Sequence, residues 1–381
     1  MTHVIPITEP DLSGNEARYL QDCIASTYVS SVGPFVSRFE RQVAEATGSA
    51  DAVATSSGTT ALHAALIAIG VAPGDLVLLP TFTFIASANA ISHCGASPWL
   101  IDVDRGSWAL DARLMRQALE SDTRHDGERL VHVPTGRRVA AIMPVYALGS
   151  AAGMDQVVAV AREFRLPIVA DAAAALGAVT RGRPVGQLGA DLSVISFNGN
   201  KTVTSGGGGA VIGNDLGALK ALRHLTSTAR LGDDYTHDRV GYNYRMTNLQ
   251  AAVGCAQMER WQDLVAAKRR IRARYDAALH GLNGIGAFPT DDDGACWLSG
   301  ITLGPAAPPL GQVRQRLRDA GIEARPFWRP VHLQTPYLDA PATAMPVAEA
   351  IWQTVLTLPC STGLSEADQD RVIAAIRSAV A

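Results

Sequence analysis

Short apolar runs alternate with helix-period segments along the first half of the chain. The runs are of strand length and lack polar alternation, which is typical of strands buried on both faces of a sheet. They span 76–79, 99–103, 140–145, 168–170 and 194–197. The helix-period segments between them span 60–69, 85–94, 110–119 and 155–164. This order predicts an α/β fold with a largely parallel sheet covered by helices, whose ligands bind at the carboxyl ends of the strands.

The pattern changes beyond Asn248. A long helical segment runs from Leu249 to about Leu279, and weaker strand and helix signals follow as far as Ala381. A chain of 381 residues is long enough for two domains. We therefore predict a large domain of residues 1–248 and a smaller one of residues 249–381 that opens with a long linking helix.

Composition and charge narrow the range of partners. Hydrophobic residues make up 47% of the chain and charged residues 18%, a balance typical of globular proteins. The net charge of -3 provides no basic field for nucleic acid. The basic run at 268–274 lies on the predicted long helix without interleaved aromatic residues, which favours a solvated helix face. We expect no nucleic-acid partner, and a phosphorylated ligand would need a local anion site.

Cysteine usage and the chain start indicate the compartment. The five cysteines are scattered and include no C-x-x-C pair, so neither a disulfide framework nor a zinc site is expected. Residues 1–10 lack the basic start and apolar run of a signal peptide, and no apolar stretch approaches the roughly 20 residues of a membrane span. These features predict a cytoplasmic protein without a metal site or a membrane contact.

Small residues at 55–60 precede a predicted helix. The opening turn of a helix has free N–H groups that can bind an anion, so this segment is a candidate phosphate cup. An ordinary capped helix start explains the same residues. The signal becomes informative only in combination with the charged residues further along the chain.

Two charged residues follow predicted strands. Asp171 ends an apolar strand, where a carboxylate can accept a hydrogen bond from a protonated ring nitrogen or simply cap the next helix. Lys201 closes the segment S-F-N-G-N-K, and the glycine run 206–209 comes shortly after it. Small neighbours would let this lysine approach a planar cofactor, and burial would lower its pKa towards that of a nucleophilic amine.

These motifs together resemble the DegT/DnrJ/EryC1/StrS sugar aminotransferase family over nearly the whole chain. The matching segments are 57–62, 171–173, 196–201 with the glycine run 206–209, 241–246, and 325–332. The resemblance implies an aspartate-aminotransferase-like fold, known as fold type I of the pyridoxal 5′-phosphate (PLP) enzymes. Such a fold has a large domain with a mainly parallel, mixed seven-stranded sheet and a smaller α+β C-terminal domain.

The resemblance also implies roles for individual residues. Lys201 would hold PLP as a Schiff base, and Asp171 would pair with its pyridine nitrogen. Gly58, Thr59 and Ser196 would bind the cofactor's phosphate. The cofactor would alternate between PLP and pyridoxamine 5′-phosphate.

Three further positions match the family's pattern. Phe84 would stack on the cofactor ring, with core packing as the alternative. Asn243 matches a residue that reaches the phosphate from a neighbouring subunit, which implies a homodimer with shared active sites. His332 matches a residue that lines the sugar pocket.

The sequence departs from the family in two places. Ala174 occupies the position, three residues after Asp171, where relatives have a Glu or Gln beside the cofactor's phenolic oxygen. Because alanine has no polar group in its side chain, water or another side chain must hydrogen-bond to the phenolic oxygen. The glycine run also lacks the glutamate often found in the family's G-E-G-G.

The expected reaction is transfer of an amino group from L-glutamate to a nucleotide-linked keto-sugar. Segments 13–16, 30–33 and 196–201 most resemble the legionaminic acid and bacillosamine branch, which acts on UDP-4-keto-6-deoxy-N-acetylhexosamines. GDP-4-keto-6-deoxymannose, as in perosamine synthesis, and dTDP-keto-sugars are the alternative substrates. PLP-dependent sugar deoxygenation is disfavoured because such enzymes replace the lysine with histidine. A noncatalytic PLP-binding sensor has only Ala174 in its favour.

Overall fold

The computed structural model describes residues 3–289 and 294–381. Its helices are α1 (Glu16–Ser26), α2 (Pro34–Thr47), α3 (Gly58–Ala68), α4 (Ile85–His93), α5 (Ala112–Asp122), α6 (Met154–Glu163), α7 (Leu216–Thr226), α8 (Asn248–Met258), α9 (Trp261–Leu279), α10 (Leu310–Asp319), α11 (Pro346–Trp352) and α12 (Glu366–Val380). Its strands are β1 (Asp51–Thr55), β2 (Leu76–Pro80), β3 (Ser97–Ile101), β4 (Thr123–Asp126), β5 (Arg129–His132), β6 (Arg137–Ile142), β7 (Val169–Asp171), β8 (Val179–Thr180), β9 (Arg183–Pro184), β10 (Leu192–Ser196), β11 (Gly209–Gly213), β12 (Arg230–Leu231), β13 (Thr236–His237), β14 (Ile285–Ala287), β15 (Ser299–Leu303), β16 (Arg325–Pro326) and β17 (Val355–Leu358). The strands and helices predicted between residues 60 and 197 from the apolar pattern are all present.

A mixed sheet runs through the centre of the molecule. Strands pair in the orders β1-β11-β10-β7 and β3-β2-β6, and parallel bridges from Ile142 to Ile168 and from Val145 to Asp171 join β6 to β7. The combined order is β1-β11-β10-β7-β6-β2-β3, in which β11 is antiparallel to both neighbours and the remaining pairs are parallel. The predicted fold class is confirmed, including the seven strands of this sheet.

Each central strand contributes side chains to two hydrophobic cores, because successive residues of a strand face opposite sides of the sheet. In β1, Ala52 and Ala54 belong to the core under α2 and α8, whereas Val53 belongs to the core under α3 and α7. All three side chains are fully buried. Two buried faces explain why the strands appear in the sequence as continuous apolar runs.

The C-terminal part of the chain has its own antiparallel sheet, in the order β14-β15-β17-β16. Residues from α9, α10 and α12 pack against it in a third hydrophobic core. The N-terminal segment also joins this core: the Ile5 N–H donates to the Gly321 carbonyl (2.9 Å), and the Cys360 N–H donates to the Ile7 carbonyl (2.8 Å). The division of the chain at residue 248 stays a prediction.

The prediction of one helix from Leu249 to about Leu279 is wrong, since this segment forms two separate helices, α8 and α9. Glu259 and Arg260 lie between them. The Glu259 carboxylate accepts hydrogen bonds from Asn15 and Arg38 (2.6 Å each), and Arg260 binds Asp11 (2.9 Å). These charged contacts with the N-terminal part of the chain occur at the break, whereas the apolar pattern continues across it.

The basic run on α9 is only in part the solvated face that the sequence favoured, since Arg270 is exposed but two other cations are buried. Lys268 and Arg272 are 2% and 5% exposed. The Lys268 ammonium group donates to the Cys360 carbonyl (2.6 Å), and the Arg272 guanidinium donates to Asp276 (2.8 Å) and to the Phe288 carbonyl (2.6 Å). These cations satisfy carbonyl groups inside the third core, as buried polar groups require.

Candidate active site

A cavity of about 670 Å³ lies at the carboxyl ends of the central strands. Tyr146 follows β6, Asp171 ends β7 and Ser196 ends β10, and all three line the cavity. Arg325 and Trp328 line it from the C-terminal part of the chain. The edge of a parallel sheet thus brings together residues that are far apart in the sequence, as is usual for ligand sites in such folds.

The start of α3 forms one wall of this cavity. The Ser57 hydroxyl accepts a hydrogen bond from the Thr60 N–H (3.1 Å), and the Thr60 hydroxyl accepts one from the Ser57 N–H (3.1 Å). Gly58 and Thr59 occupy the first turn and line the cavity. The predicted candidate cup is therefore a capped helix start that presents its positive end to a cavity, an arrangement suited to a phosphate group.

Glycine is required where β10 and β11 approach this helix start. A Cβ atom on Gly58 would lie 3.0 Å from the Ser196 Cβ, and one on Gly209 would lie 2.6 Å from the Ser57 carbonyl oxygen. Any side chain at Gly209 would push the strand away from α3. The glycine run thus keeps the Ser196 hydroxyl beside the first turn of α3.

Asp171 is a buried carboxylate with two donors of its own. It is 6% exposed. The Ser87 hydroxyl donates to Oδ2 (2.6 Å), and the Ala173 N–H donates to Oδ1 (3.1 Å). Burial raises the pKa of Asp171, while these two hydrogen bonds and the charge of Lys201 act in the opposite direction. A cationic ring nitrogen beside this carboxylate would compensate the cost of burying its charge.

Lys201 shares the cavity with Asp171. Burial lowers the pKa of the Lys201 ammonium group to about 8, and the Asp171 carboxylate opposes that shift. The chain has only three lysines. Lys220 is exposed on α7, and Lys268 is enclosed in the third core, so Lys201 is the one lysine that lines the cavity. Its lowered pKa makes it a good candidate for a nucleophilic amine.

Sequence reasoning missed Trp297. The Lys201 Nζ lies 3.6 Å from the centre of the Trp297 ring, and the Trp297 indole N–H donates to the Asn200 carbonyl (2.8 Å). The indole therefore contacts both the lysine and the backbone beside it. A single tryptophan outside any motif carries no signal that could have identified it.

The predicted residues differ in their relation to the cavity. Phe84 lines it at the start of α4 and is 56% exposed, so it is not a core residue. His332 does not line it: its Nδ1 lies 2.7 Å from the Thr81 hydroxyl and its Nε2 lies 3.3 Å from a Glu349 oxygen. Asn243 is also outside the cavity, exposed on the surface and bridged to Ser227 through the backbone.

The polar groups around the cavity fit the chemistry of PLP. The positive end of α3 suits a phosphate, the buried Asp171 suits a protonated pyridine nitrogen, and Lys201 suits an aldehyde. Over the described residues, no group of three or more His, Cys, Asp or Glu side chains is arranged to hold a metal ion. No helix in that same part of the chain is long and apolar enough to cross a membrane. Fold and site together define a PLP-dependent aminotransferase.

The chain belongs to the DegT/DnrJ/EryC1/StrS aminotransferase family, whose model matches residues 10–377. GDP-perosamine synthase from Caulobacter vibrioides is 38% identical, covering 98% of this chain and 97% of the relative. GDP-perosamine synthase from Escherichia coli O157:H7 is 35% identical, covering 95% and 94%. A DegT DnrJ EryC1 StrS aminotransferase from Brucella abortus has a similar crystal structure, with a TM-score of 0.87 and 29% identity over 96% and 95% of the two chains. The protein is therefore a sugar aminotransferase with PLP as its cofactor.

The pKa of Lys201 predicts how the apoprotein captures PLP. Only the uncharged amine attacks the aldehyde, so the rate of covalent capture should rise with pH and reach half its maximum near pH 8. The rate can be followed by stopping the reaction with borohydride and measuring the intact mass. Lys201→Ala should lose this capture and retain only the slow labelling of exposed amines such as Lys220. A midpoint near that of an ordinary lysine would contradict the effect of burial, and capture by the variant at the wild-type rate would contradict the assignment of Lys201.

Proposed function

We propose that this enzyme transfers the amino group of L-glutamate to GDP-4-keto-6-deoxymannose. The observation that carries the proposal is the similarity to two GDP-perosamine synthases, at 38% and 35% identity over almost the full length of both chains. These relatives favour the GDP-linked alternative over the UDP-linked branch that the sequence motifs favoured. The UDP-linked branch was favoured in part by segment 196–201 and its glycine run. These residues lie around Lys201 and the start of α3, so they relate to the cofactor rather than to the nucleotide.

In this proposal each residue of the cavity has a separate role. The first turn of α3, with Gly58, Thr59 and Ser196, holds the phosphate of PLP. Asp171 keeps the pyridine nitrogen protonated, and Phe84 covers the ring. Bound PLP supplies an electron sink for the bond that breaks at the donor's α-carbon. Lys201 would hold the cofactor through its side-chain amine, and the same amine would carry the proton from the α-carbon of the donor.

The open side of the cavity suits a nucleotide-linked sugar. Asn198 and Asn200 are exposed there and offer amide groups to sugar hydroxyls. Trp328 provides a flat apolar surface, and Arg325 has a side chain 68% exposed that can reach a diphosphate. His332 does not line this cavity, so its contact with the sugar stays a prediction.

We also propose that the enzyme is a homodimer whose active sites are shared. Asn243 is exposed, and exposed apolar side chains cluster near it in the sequence: Tyr235 is 89% exposed and Val240 is 83% exposed. A segment that combines such side chains suits burial against a second copy of the chain. In that arrangement, Asn243 reaches the cofactor phosphate held by the partner.

A substrate panel tests the proposed reaction. Holoenzyme and L-glutamate are incubated separately with GDP-4-keto-6-deoxymannose, UDP-4-keto-6-deoxy-N-acetylglucosamine and dTDP-4-keto-6-deoxyglucose, and the amino-sugar products are quantified by mass spectrometry. We expect kcat/KM for the GDP-linked sugar to exceed the others at least about tenfold, because nucleotide contacts made throughout the reaction favour one base. A preference for the UDP-linked sugar would support the other branch and contradict the proposal.

Complementation tests the shared site. Lys201→Ala and Asn243→Asp should each be inactive, the second because its carboxylate repels the phosphate. A mixed dimer places both lesions in one site and leaves the other intact, so random mixing should restore roughly a quarter of wild-type activity.

The matched control pairs Lys201→Ala with Asp171→Asn. These two residues line the same cavity within one chain, so every site of this mixed dimer keeps one lesion and no activity should return. If mixed dimers of the first pair form and stay as inactive as the control, the shared site and the role of Asn243 are wrong.

A further inference from the structure

Tyr146 lies beside Asp171 at the edge of the sheet. It follows Val145, which bridges to Asp171, and its own N–H donates to the Asp171 carbonyl (2.9 Å). The residue is 3% exposed and lines the cavity that also contains Lys201. Its position is therefore fixed by the strand that carries the buried carboxylate.

The Tyr146 hydroxyl is buried without a hydrogen-bond partner among the described residues. Other buried side chains there also have an unpartnered polar atom, among them Gln42, Thr202 and Ser299, but Tyr146 is the one that lines the cavity. Leaving a buried hydroxyl unpaired is costly, so a site that retains one usually pairs it with a ligand. Burial raises the pKa of Tyr146, so the hydroxyl stays protonated and acts as a donor.

One polar group of PLP is left without a partner by the residue roles assigned so far. Lys201 takes its aldehyde, Asp171 its ring nitrogen and the start of α3 its phosphate, which leaves the phenolic oxygen on the ring. The methyl group of Ala174, which also lines the cavity, cannot hydrogen-bond to that oxygen. An anionic oxygen in a buried site requires a donor.

We propose that the Tyr146 hydroxyl donates a hydrogen bond to the phenolic oxygen of bound PLP. From the segment after β6, the tyrosine then makes a hydrogen bond that Ala174 cannot make from the segment after β7. The proposal rests on the placement of PLP between Lys201 and Asp171, and it is independent of which sugar the enzyme uses. A failure of the substrate panel would therefore leave it intact.

Tyr146→Phe tests this proposal because it keeps the ring and removes only the hydroxyl. Two effects of opposite sign are expected. The apoprotein should be at least as stable as wild type, since an unpartnered hydroxyl is lost, and its Tm should not fall. PLP should bind about tenfold more weakly, because a hydrogen bond to a charged oxygen is lost. Thermal unfolding of the apoprotein and titration of tryptophan fluorescence with PLP measure the two effects.

The absorption of the bound cofactor gives a second, independent measurement. A donor stabilises the anionic form of the phenolic oxygen, so its removal should move the pH midpoint of the absorption change upward by about one unit. Asp171 and Lys201, the charged groups facing this part of the cavity, are unchanged in the variant. A side chain that only filled space would leave this midpoint where it is in the wild type.

Tyr275→Phe is the matched control. The Tyr275 hydroxyl is also buried, but it donates to the Pro359 carbonyl (2.8 Å) in the third core, away from the cavity. This variant should lower the Tm of the apoprotein and leave PLP affinity and the pH midpoint unchanged. If Tyr146→Phe instead lowers the apoprotein Tm, or binds PLP within twofold of wild type with an unchanged midpoint, the proposal is overturned.

Discussion

The site depends on a carboxylate and an amine that are both partly desolvated in one cavity at the edge of a parallel sheet. Burial raises the pKa of Asp171 and lowers the pKa of Lys201, although each group's charge partly opposes the shift of the other. The charged form of neither group is well hydrated in this position. A cofactor with a cationic ring nitrogen and an electrophilic aldehyde satisfies both groups, so the structure that makes the residues reactive also selects the ligand.

The topology creates this environment. Strands β6, β7 and β10 run in the same direction and end at one edge, so Tyr146, Asp171 and Ser196 come together although they are spread over fifty residues of sequence. The two cores that flank the sheet hold these strand ends in place. The C-terminal part of the chain then lines the cavity at this edge with Arg325 and Trp328.

The apolar pattern predicted the buried strands and their helices because each strand is covered on both faces. It did not predict β11, since that strand begins and ends with glycine and has only three apolar residues between them. The break between α8 and α9 was invisible for another reason: Glu259 and Arg260 contact residues more than two hundred positions earlier in the chain. Lys268 was misjudged because its buried partner, the Cys360 carbonyl, lies 92 residues further along the chain.

The residues of the candidate site also differ in whether the sequence alone could identify them. Gly58, Thr59, Asp171, Ser196 and Lys201 could be found from the sequence because each belongs to a motif at the end of a strand or the start of a helix, and the structure brings all of them to the cavity. Trp297 belongs to no such motif, and Tyr146, although it directly follows the predicted strand 140–145, is identified only by its buried hydroxyl in the structure. His332 and Asn243 matched the family by motif, yet neither lines the cavity of its own chain.

The assignment of Lys201 is tested most directly by locating the lysine that carries the cofactor. The holoenzyme is reduced with borohydride and digested, and the pyridoxyl-modified peptide is identified by mass spectrometry. With only three lysines in the chain, the result is unambiguous. The account predicts the modification on Lys201 alone. Modification of Lys220 or Lys268 in the folded enzyme, with Lys201 unmodified, would contradict it.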